Sequence, residues 1–173
     1  MLDTANYSAV ATLRDARRLE IRALRPDDRA NFLSAADRIS PKSLYRRFFA
    51  VRRGFTEREV DFFLNVDFDK HVALVALIEE AGQSVIVGGG RYVVVQPGKA
   101  EVAFAVIDQY QGQGIGSILM QNLATIARAA GLQELIAEVL PENKSMLTLF
   151  ERSGLHVTTT RESDVVHVNI RLK

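Results

Sequence analysis

The sequence contains no cysteine among its 173 residues. That single absence removes thiol nucleophiles, disulfides and cysteine-ligated zinc. Histidine is scarce: only His71, His156 and His167 occur, and none has the HExxH spacing of a zinc protease. No G-x-S-x-G elbow is present, so a serine-hydrolase constellation has no starting point. No run of about 18 apolar residues appears, and "MLDTANYSAV" lacks a charged segment leading an apolar one. The chain therefore reads as a soluble cytoplasmic protein, with no membrane span and no metal expected. An excess of one charge is also missing. With 22 basic and 21 acidic residues the formal net charge is +1, which gives no electrostatic footprint for nucleic acid. The basic clusters "RDARRLEIRALR" and "YRRFFAVRRGF" are closely followed by acidic residues and read as solvated faces.

What is present is the composition of a globular protein, 47% apolar and 25% charged, in a length that suits one domain with a substantial core. "AVATLR" and "RLEIRALR" flank "RDAR", the pattern of a short β-hairpin whose second strand alternates apolar and charged residues. "RPDDRANFLSAADRIS" predicts a helix: Pro26 suits its first turn, Asp27 and Asp28 favour its positive end, and Phe32, Leu33 and Ala36 share a face. A second helix is expected over "SPKSLYRRFF", with Ser40 as its cap. A third is expected over "TEREVDFFLNV", opened by a Thr56/Glu59 capping box ahead of Val60, Phe63 and Leu64. The period then changes. "HVALVALIEE", "SVIVGGGRYVVV" and "AEVAFAVI" predict an antiparallel meander, in which the triple glycine at 88–90 marks a bulge or a close backbone approach. A helix over about 117–130 ends at Gly131, a strand over "LQELIAEVL" follows, then a helix ending at Gly154 and the strands "LHVTTT" and "VVHVNIRL". The order is mixed α+β, with a βαβ-like crossover that begins at the glycine run.

That run, "QGQGIG" at 111–116, lies between a predicted strand and a predicted helix. A dinucleotide fingerprint would need glycine at 117, where Ser117 stands, and a Walker loop would need a lysine that the run lacks. A strand, a glycine turn and a helix N-terminus still bring backbone N–H groups together at a positive dipole end, which suits a pyrophosphate.

The run fits the Q/R-x-x-G-x-G/A pattern, with Gln111, Gly114 and Gly116 at its defining positions. With "AEVAFAVIDQYQGQGIGSILMQNLATIARAAG" and "ELIAEVLPENKSMLTLFERSGL" around it, the chain resembles the GNAT superfamily of acyl-CoA-dependent N-acyltransferases. "IRALRPDD", "ISPKSLYRRFF" and "VDFDKHVALVA" further resemble the GNAT domain of bacterial Pat-type protein lysine acetyltransferases, so the resemblance runs from about Val10 to His156. It implies a GNAT fold over residues 1–173 as a single domain: a mixed, mostly antiparallel twisted sheet flanked by helices. It implies that the amides of Gln111, Gly112, Gln113, Gly114, Ile115 and Gly116 cradle the pyrophosphate of acetyl-CoA, with Ser117 adding a hydroxyl. The strand end at Ala105, Val106 and Ile107 would pair with the pantetheine amides, where the strand and its parallel neighbour splay apart. Asn143 would contact the cofactor, although a helix cap explains it equally well.

Amine acylation needs a base to take a proton from an ammonium of pKa near ~10. The resemblance puts Glu101 in that role; the plain alternative is an exposed glutamate at a strand end. In a half-buried strand, apolar neighbours would disfavour its charged form. One departure stands out: Phe150 occupies the position where many relatives carry a tyrosine that protonates the departing thiolate. The absence of cysteine favours direct transfer in a ternary complex. The implied acceptor is a protein lysine, with a small-molecule amine or a non-catalytic CoA-binding module as the other readings. The edges of the terminal strands leave room for a homodimer.

Overall fold

The computed structural model describes residues 2–40 and 55–172, so the helix expected over "SPKSLYRRFF" lies almost wholly outside the described residues. An eight-stranded sheet in the order β1-β2-β3-β4-β5-β6-β8-β7 forms the frame. Its strands are β1 (Ser8–Thr12), β2 (Arg18–Ala23), β3 (His71–Glu80), β4 (Gln83–Gln96), β5 (Lys99–Val106), β6 (Glu134–Val139), β7 (His156–Glu162) and β8 (Val165–Arg171). Helices α1 (Arg29–Ala36), α2 (Glu57–Leu64), α3 (Ile115–Ala129) and α4 (Lys144–Glu151) flank it. Every neighbouring pair is antiparallel except β5 with β6, which α3 joins as a crossover. The expected α+β class, hairpin, meander and crossover are all present.

The pleat assigns the helices to faces. Gly90 of β4 looks toward Phe104 of β5 and Leu123 of α3, whereas the next residue, Arg91, bonds to the Phe63 carbonyl of α2. Successive strand residues point to opposite faces, so α2 and α3 lie on opposite sides of the sheet. Phe32 of α1 packs near Phe63, and Phe150 of α4 near Phe104, which puts α1 with α2 and α4 with α3. The core between sheet and α3 is continuous: Leu119, Met120, Leu123, Ile126 and Ala127 are 0–1% exposed.

Local chemistry explains the element ends. Thr56 Oγ1 accepts from the Glu59 N–H and the Glu59 carboxylate accepts from the Thr56 N–H, the capping box read from sequence. Gly131 at φ +84° lets the chain leave α3, and Leu132 N–H returns to the Ala127 carbonyl. α3 begins two residues earlier than expected, because Gly114 at φ +91° caps it. The triple glycine gives the close approach expected of it, and the bulge falls immediately before it, with Val87 as the extra residue. The β3–β4 register slips between Ala76 and Leu77, and a Cβ on Gly90 would sit 2.7 Å from the Phe104 ring.

Two expectations for α1 are corrected. Leu33 is exposed and Ala35 is buried, because the stripe that meets the sheet runs through Phe32, Ala35 and Ala36 at helical spacing and leaves Leu33 outside it. Asp28 is buried, and it serves more than the helix dipole. Its two oxygens accept from Arg22 Nη1 and Nη2 of β2, each at 2.8 Å, and Oδ2 also accepts from the Arg25 N–H at 2.7 Å. Burial pushes this carboxyl up, but the bonds from Arg22 and Arg25 leave it below the usual aspartate range.

Candidate active site

β5 ends at Val106 and runs through a 3-10 turn (Asp108–Tyr110) into the glycine loop. Gly112 at φ +79° and Gly114 at φ +91° are left-handed, and a Cβ at either would meet nothing within 4 Å. Their role is conformational: alternating left- and right-handed residues turn successive N–H groups to one side, as an anion nest requires. Gly116 has a different reason. A Cβ there would lie 2.6 Å from Leu149 Cδ1, so this glycine lets α3 and α4 approach each other. Ile115, Gly116 and Ser117 occupy the first turn of α3, whose N–H groups have no intrahelical acceptor and sit at the positive end of the helix dipole. Gln113 lies between the two left-handed glycines. The Gln111 side chain donates from Nε2 to the Val106 carbonyl at 3.0 Å, tying the loop to the strand that feeds it.

β5 and β6 pair only through Lys99/Glu134, Ala100/Leu135 and Glu101/Ile136. Beyond Glu101 the two strands part. Ile107 N–H bonds to the Val87 carbonyl of β4 at 2.9 Å. By the alternation of an antiparallel ladder, Ala105 also directs its backbone groups toward β4, and Phe104 and Val106 direct theirs into the gap. The sequence pointed to Ala105, Val106 and Ile107 as the open strand end. Phe104 was missed, because only the pairing phase tells which residues of a strand face which neighbour.

A cavity of about 550 Å³ occupies this gap and is lined by residues from both faces of the sheet. Gly112, Gly114, Gly116 and Ser117 line one part of it, and Glu101, Ala103 and Glu138 line another. Glu101 stands at the last paired position before the strands diverge, five residues or ~17 Å of extended strand before the end of β5 at Val106. It is exposed, so the expected half-burial, and the desolvation argued from it, are corrected. Ala100 and Val102 on either side are buried and turn the glutamate outward by alternation. A smaller cavity of about 170 Å³ adjoins on that face, lined by Glu101, Glu138, His167 and Asn169. His167 stands 3.9 Å from Glu138 and 3.5 Å from Glu162.

Asn143 caps α4: its Oδ1 accepts from the Met146 N–H at 3.3 Å, and the residue also lines the cavity. The cap is thus present, and it leaves the amide NH₂ directed to no described partner. Phe150 is 1% exposed and packs at 6.1 Å from the Phe104 ring, so the position of the expected proton donor is an apolar wall of the same cavity.

Two polar clusters beside the site were not anticipated. Glu80 at the end of β3 accepts from both Arg38 nitrogens, each at 3.0 Å, and from the Tyr110 hydroxyl. Arg38, then Tyr110, holds the Glu80 carboxyl below its usual range. The guanidinium of Arg17 lies 5.1 Å above the same Tyr110 ring and reaches Gln113 Oε1 at 3.3 Å. This network docks the β1–β2 turn and the end of α1 onto the glycine loop. On the α2 face, buried His71 sits 2.8 Å from Arg91 Nη1 and stacks on Phe62. Burial and then the Arg91 charge lower its pKa to about 4, so it is neutral near pH 7. Residues far apart in sequence make both clusters, and no local motif signals either.

A family model described as the acetyltransferase (GNAT) family matches residues 40–155, more than half of the chain, including Glu101, the glycine loop, Asn143 and Phe150. The chain belongs to that family. It is an acyl-CoA-dependent acetyltransferase. A relative of Pseudomonas aeruginosa named as an acetyltransferase is 31% identical over 141 residues, 81% of this chain and 76% of that one. The acetyltransferase Pat of Mycolicibacterium smegmatis is 35% identical over 138 residues, 78% of this chain, and the chain spans only 40% of Pat's length. The crystal structure of the GNAT domain of S. lividans PAT superposes with a TM-score of 0.86 at 31% identity, covering 95% of this chain and 96% of that domain. The acetyltransferase fold and the expected resemblance to the Pat branch therefore agree. Among the described residues no group of three or more His, Asp or Glu is arranged to hold a metal, and no helix is long and apolar enough to cross a membrane.

Proposed function

We propose that this acetyltransferase transfers the acetyl group of acetyl-CoA to a protein lysine, with Glu101 as general base, and that residues 1–173 act as one GNAT domain. The observation that carries the reading is the parting of β5 from β6 immediately after Glu101, in a cavity that also contains the glycine loop. The N–H groups of Gly112, Gln113, Gly114, Ile115 and Gly116 hold the pyrophosphate, with the Ser117 hydroxyl beside them. Phe104 and Val106 offer strand-type backbone groups to the amides of the pantetheine arm, and the Asn143 amide faces the same arm. Acetyl-CoA supplies an activated thioester at the end of that arm.

The lysine ammonium approaches from the face where Glu101 and Glu138 are exposed, and two carboxylates there favour a cation over a neutral amine. Glu101 takes one ammonium proton, directly or through water, and the freed amine attacks the thioester carbonyl. Collapse of the tetrahedral species breaks the C–S bond, and the second proton on the nitrogen passes through water to the departing thiolate, which leaves a neutral amide and CoA. Thiols have pKa values near ~8.5, so the thiolate leaves without a dedicated acid at position 150. Likeness to the Pat branch supports a lysine acceptor over a small amine.

The test is CoA release measured with acyl-CoA synthetases and with a panel of free amines. Glu101→Gln is expected to lower kcat/KM by about 10²–10⁴-fold at pH 7.5, with the binding of CoA retained. Full turnover by Glu101→Gln would remove it as the base. Faster turnover of a free amine than of any protein lysine would assign a small-molecule acceptor instead. Binding of acetyl-CoA with no turnover of any amine would mark a CoA-sensing module.

A further inference from the structure

A Cβ on Gly112 or Gly114 would meet no atom within 4 Å, so side-chain packing does not set these two left-handed turns. A nest whose amides converge before an anion arrives is nonetheless an ordered piece of backbone, and order costs conformational entropy. Contacts beside the glycines must stabilise it, and they collect on Tyr110, the residue before Gln111. Tyr110 is 3% exposed, and the guanidiniums of Arg17 and Arg38 stand 5.1 and 5.9 Å from its ring centroid. Its hydroxyl donates to Glu80 Oε2 at the end of β3 and lies 3.5 Å from Arg17 Nη1. Glu80 is itself fixed, because each of its oxygens accepts from an Arg38 nitrogen at 3.0 Å. Arg38 also bonds Gln109, and the Ser40 N–H donates to Asp108 Oδ1 at 3.0 Å. All three residues of the turn that feeds the loop are thus tied, directly or through Glu80, to the segment that follows α1. Beyond Tyr110, Gln113 Oε1 accepts from Arg17, which Asp15 orients at 2.7 Å. Burial, then the Glu80 bond, raises the Tyr110 phenol above its ordinary value, so it stays a donor at neutral pH.

We propose that Tyr110 and Glu80 are positioning residues for donor binding: the carboxylate, locked by Arg38, holds the phenol, and the phenol holds the glycine loop in its anion-binding shape before acetyl-CoA arrives. Both act through the loop. The inference rests on the acetyl-CoA reading above. A loop that takes this shape only part of the time binds its ligand more weakly, by the reciprocal of that fraction. Once the donor is seated the loop is formed, and the reacting groups at Glu101 are as before. The effect of breaking the brace therefore falls on donor affinity and spares kcat and the KM of the acceptor.

Two variants of the full chain test this. Tyr110→Phe keeps the ring beside both guanidiniums and removes only the hydroxyl. Glu80→Gln keeps the size and removes the charge, at a side chain 29% exposed, where the fold is least disturbed. Each is expected to raise the Kd for CoA in titration calorimetry, and the KM for acetyl-CoA, by about tenfold, the scale of one hydrogen bond to a charged group. kcat and the acceptor KM are expected to stay at their wild-type values. The double variant is expected to match the weaker-binding single variant, because both break one link. In NMR relaxation, the Gly112 and Gly114 amides of each free variant are expected to be less ordered than in the wild type, and equally ordered once CoA is bound. A lower urea midpoint with unchanged donor Kd and unchanged amide order would make the cluster a stability feature alone and overturn the proposal. So would a loss confined to kcat at saturating donor, or additive effects in the double variant. A wild type that binds no CoA would remove the donor reading itself, whereas variants that bind CoA as tightly as the wild type remove only the brace.

Discussion

At the scale of single residues, two glycines that look alike in sequence have different neighbours and different expected costs. Gly90→Ala puts a methyl 2.7–2.8 Å from two carbons of the Phe104 ring and 3.0 Å from Leu123, in a packed layer with no free direction. Urea denaturation is expected to show a loss of about 1–3 kcal/mol, the range for overpacking. Gly116→Ala meets only the terminal carbon of Leu149, which can rotate, and gains helix propensity. Its stability is expected to stay within about 1 kcal/mol of wild type, while CoA binding weakens through the shifted α3–α4 contact. Similar losses for the two variants would refute this division. Sequence spacing flagged all of these positions, but only the neighbours opposite each glycine separate a conformational role from a packing one. Glu101 teaches the same lesson. Its place in the β5 pattern was legible, whereas its exposure depends on which face of the sheet the pleat of β5 turns it to.

His71 gives a pH dependence at this scale. Its folded pKa of about 4 lies below the ordinary value of 6.5. Between these values the unfolded chain binds a proton that the folded chain refuses, so stability is full above about pH 6.5 and falls as pH drops toward 4. The span corresponds to about 3 kcal/mol. His71→Gln is expected to flatten the urea midpoint between pH 6.5 and 4. An unchanged slope in that variant would assign the acid sensitivity to other groups.

At the scale of elements, the helices show how local signals and long-range contacts divide the work. The Thr56/Glu59 box and Gly131 act within a few residues, and their motifs place α2 and the end of α3 correctly. The start of α1 looked equally local, with Pro26 and two aspartates, yet Asp28 is the buried partner of Arg22 from another element. Removing one member of such a pair leaves a buried charge, so Asp28→Ala is expected to cost about 3–5 kcal/mol. A calorimetric melt checks it, with Asp27→Ala, at an exposed position, as the comparison that should change stability by less than about 0.5 kcal/mol. Equal effects would mean that both act only on the helix dipole.

At the scale of the whole molecule, the order of elements and the glycine loop were determined by the sequence alone. Hydrophobic period, caps and turn residues act over a few neighbours, and "QGQGIG" carries its backbone geometry in its own glycines. The departure at Phe150 and the absence of cysteine were equally plain from the letters. Tertiary structure decided the rest. The parting of β5 from β6, the backbone phase that turns Phe104 and Val106 into the gap, and the docking of the Arg17 turn on Tyr110 join residues from 35 to 93 positions apart or belong to a register between strands. Such contacts leave no periodic trace, because each side of the pair satisfies its local pattern equally well whether or not the other is present.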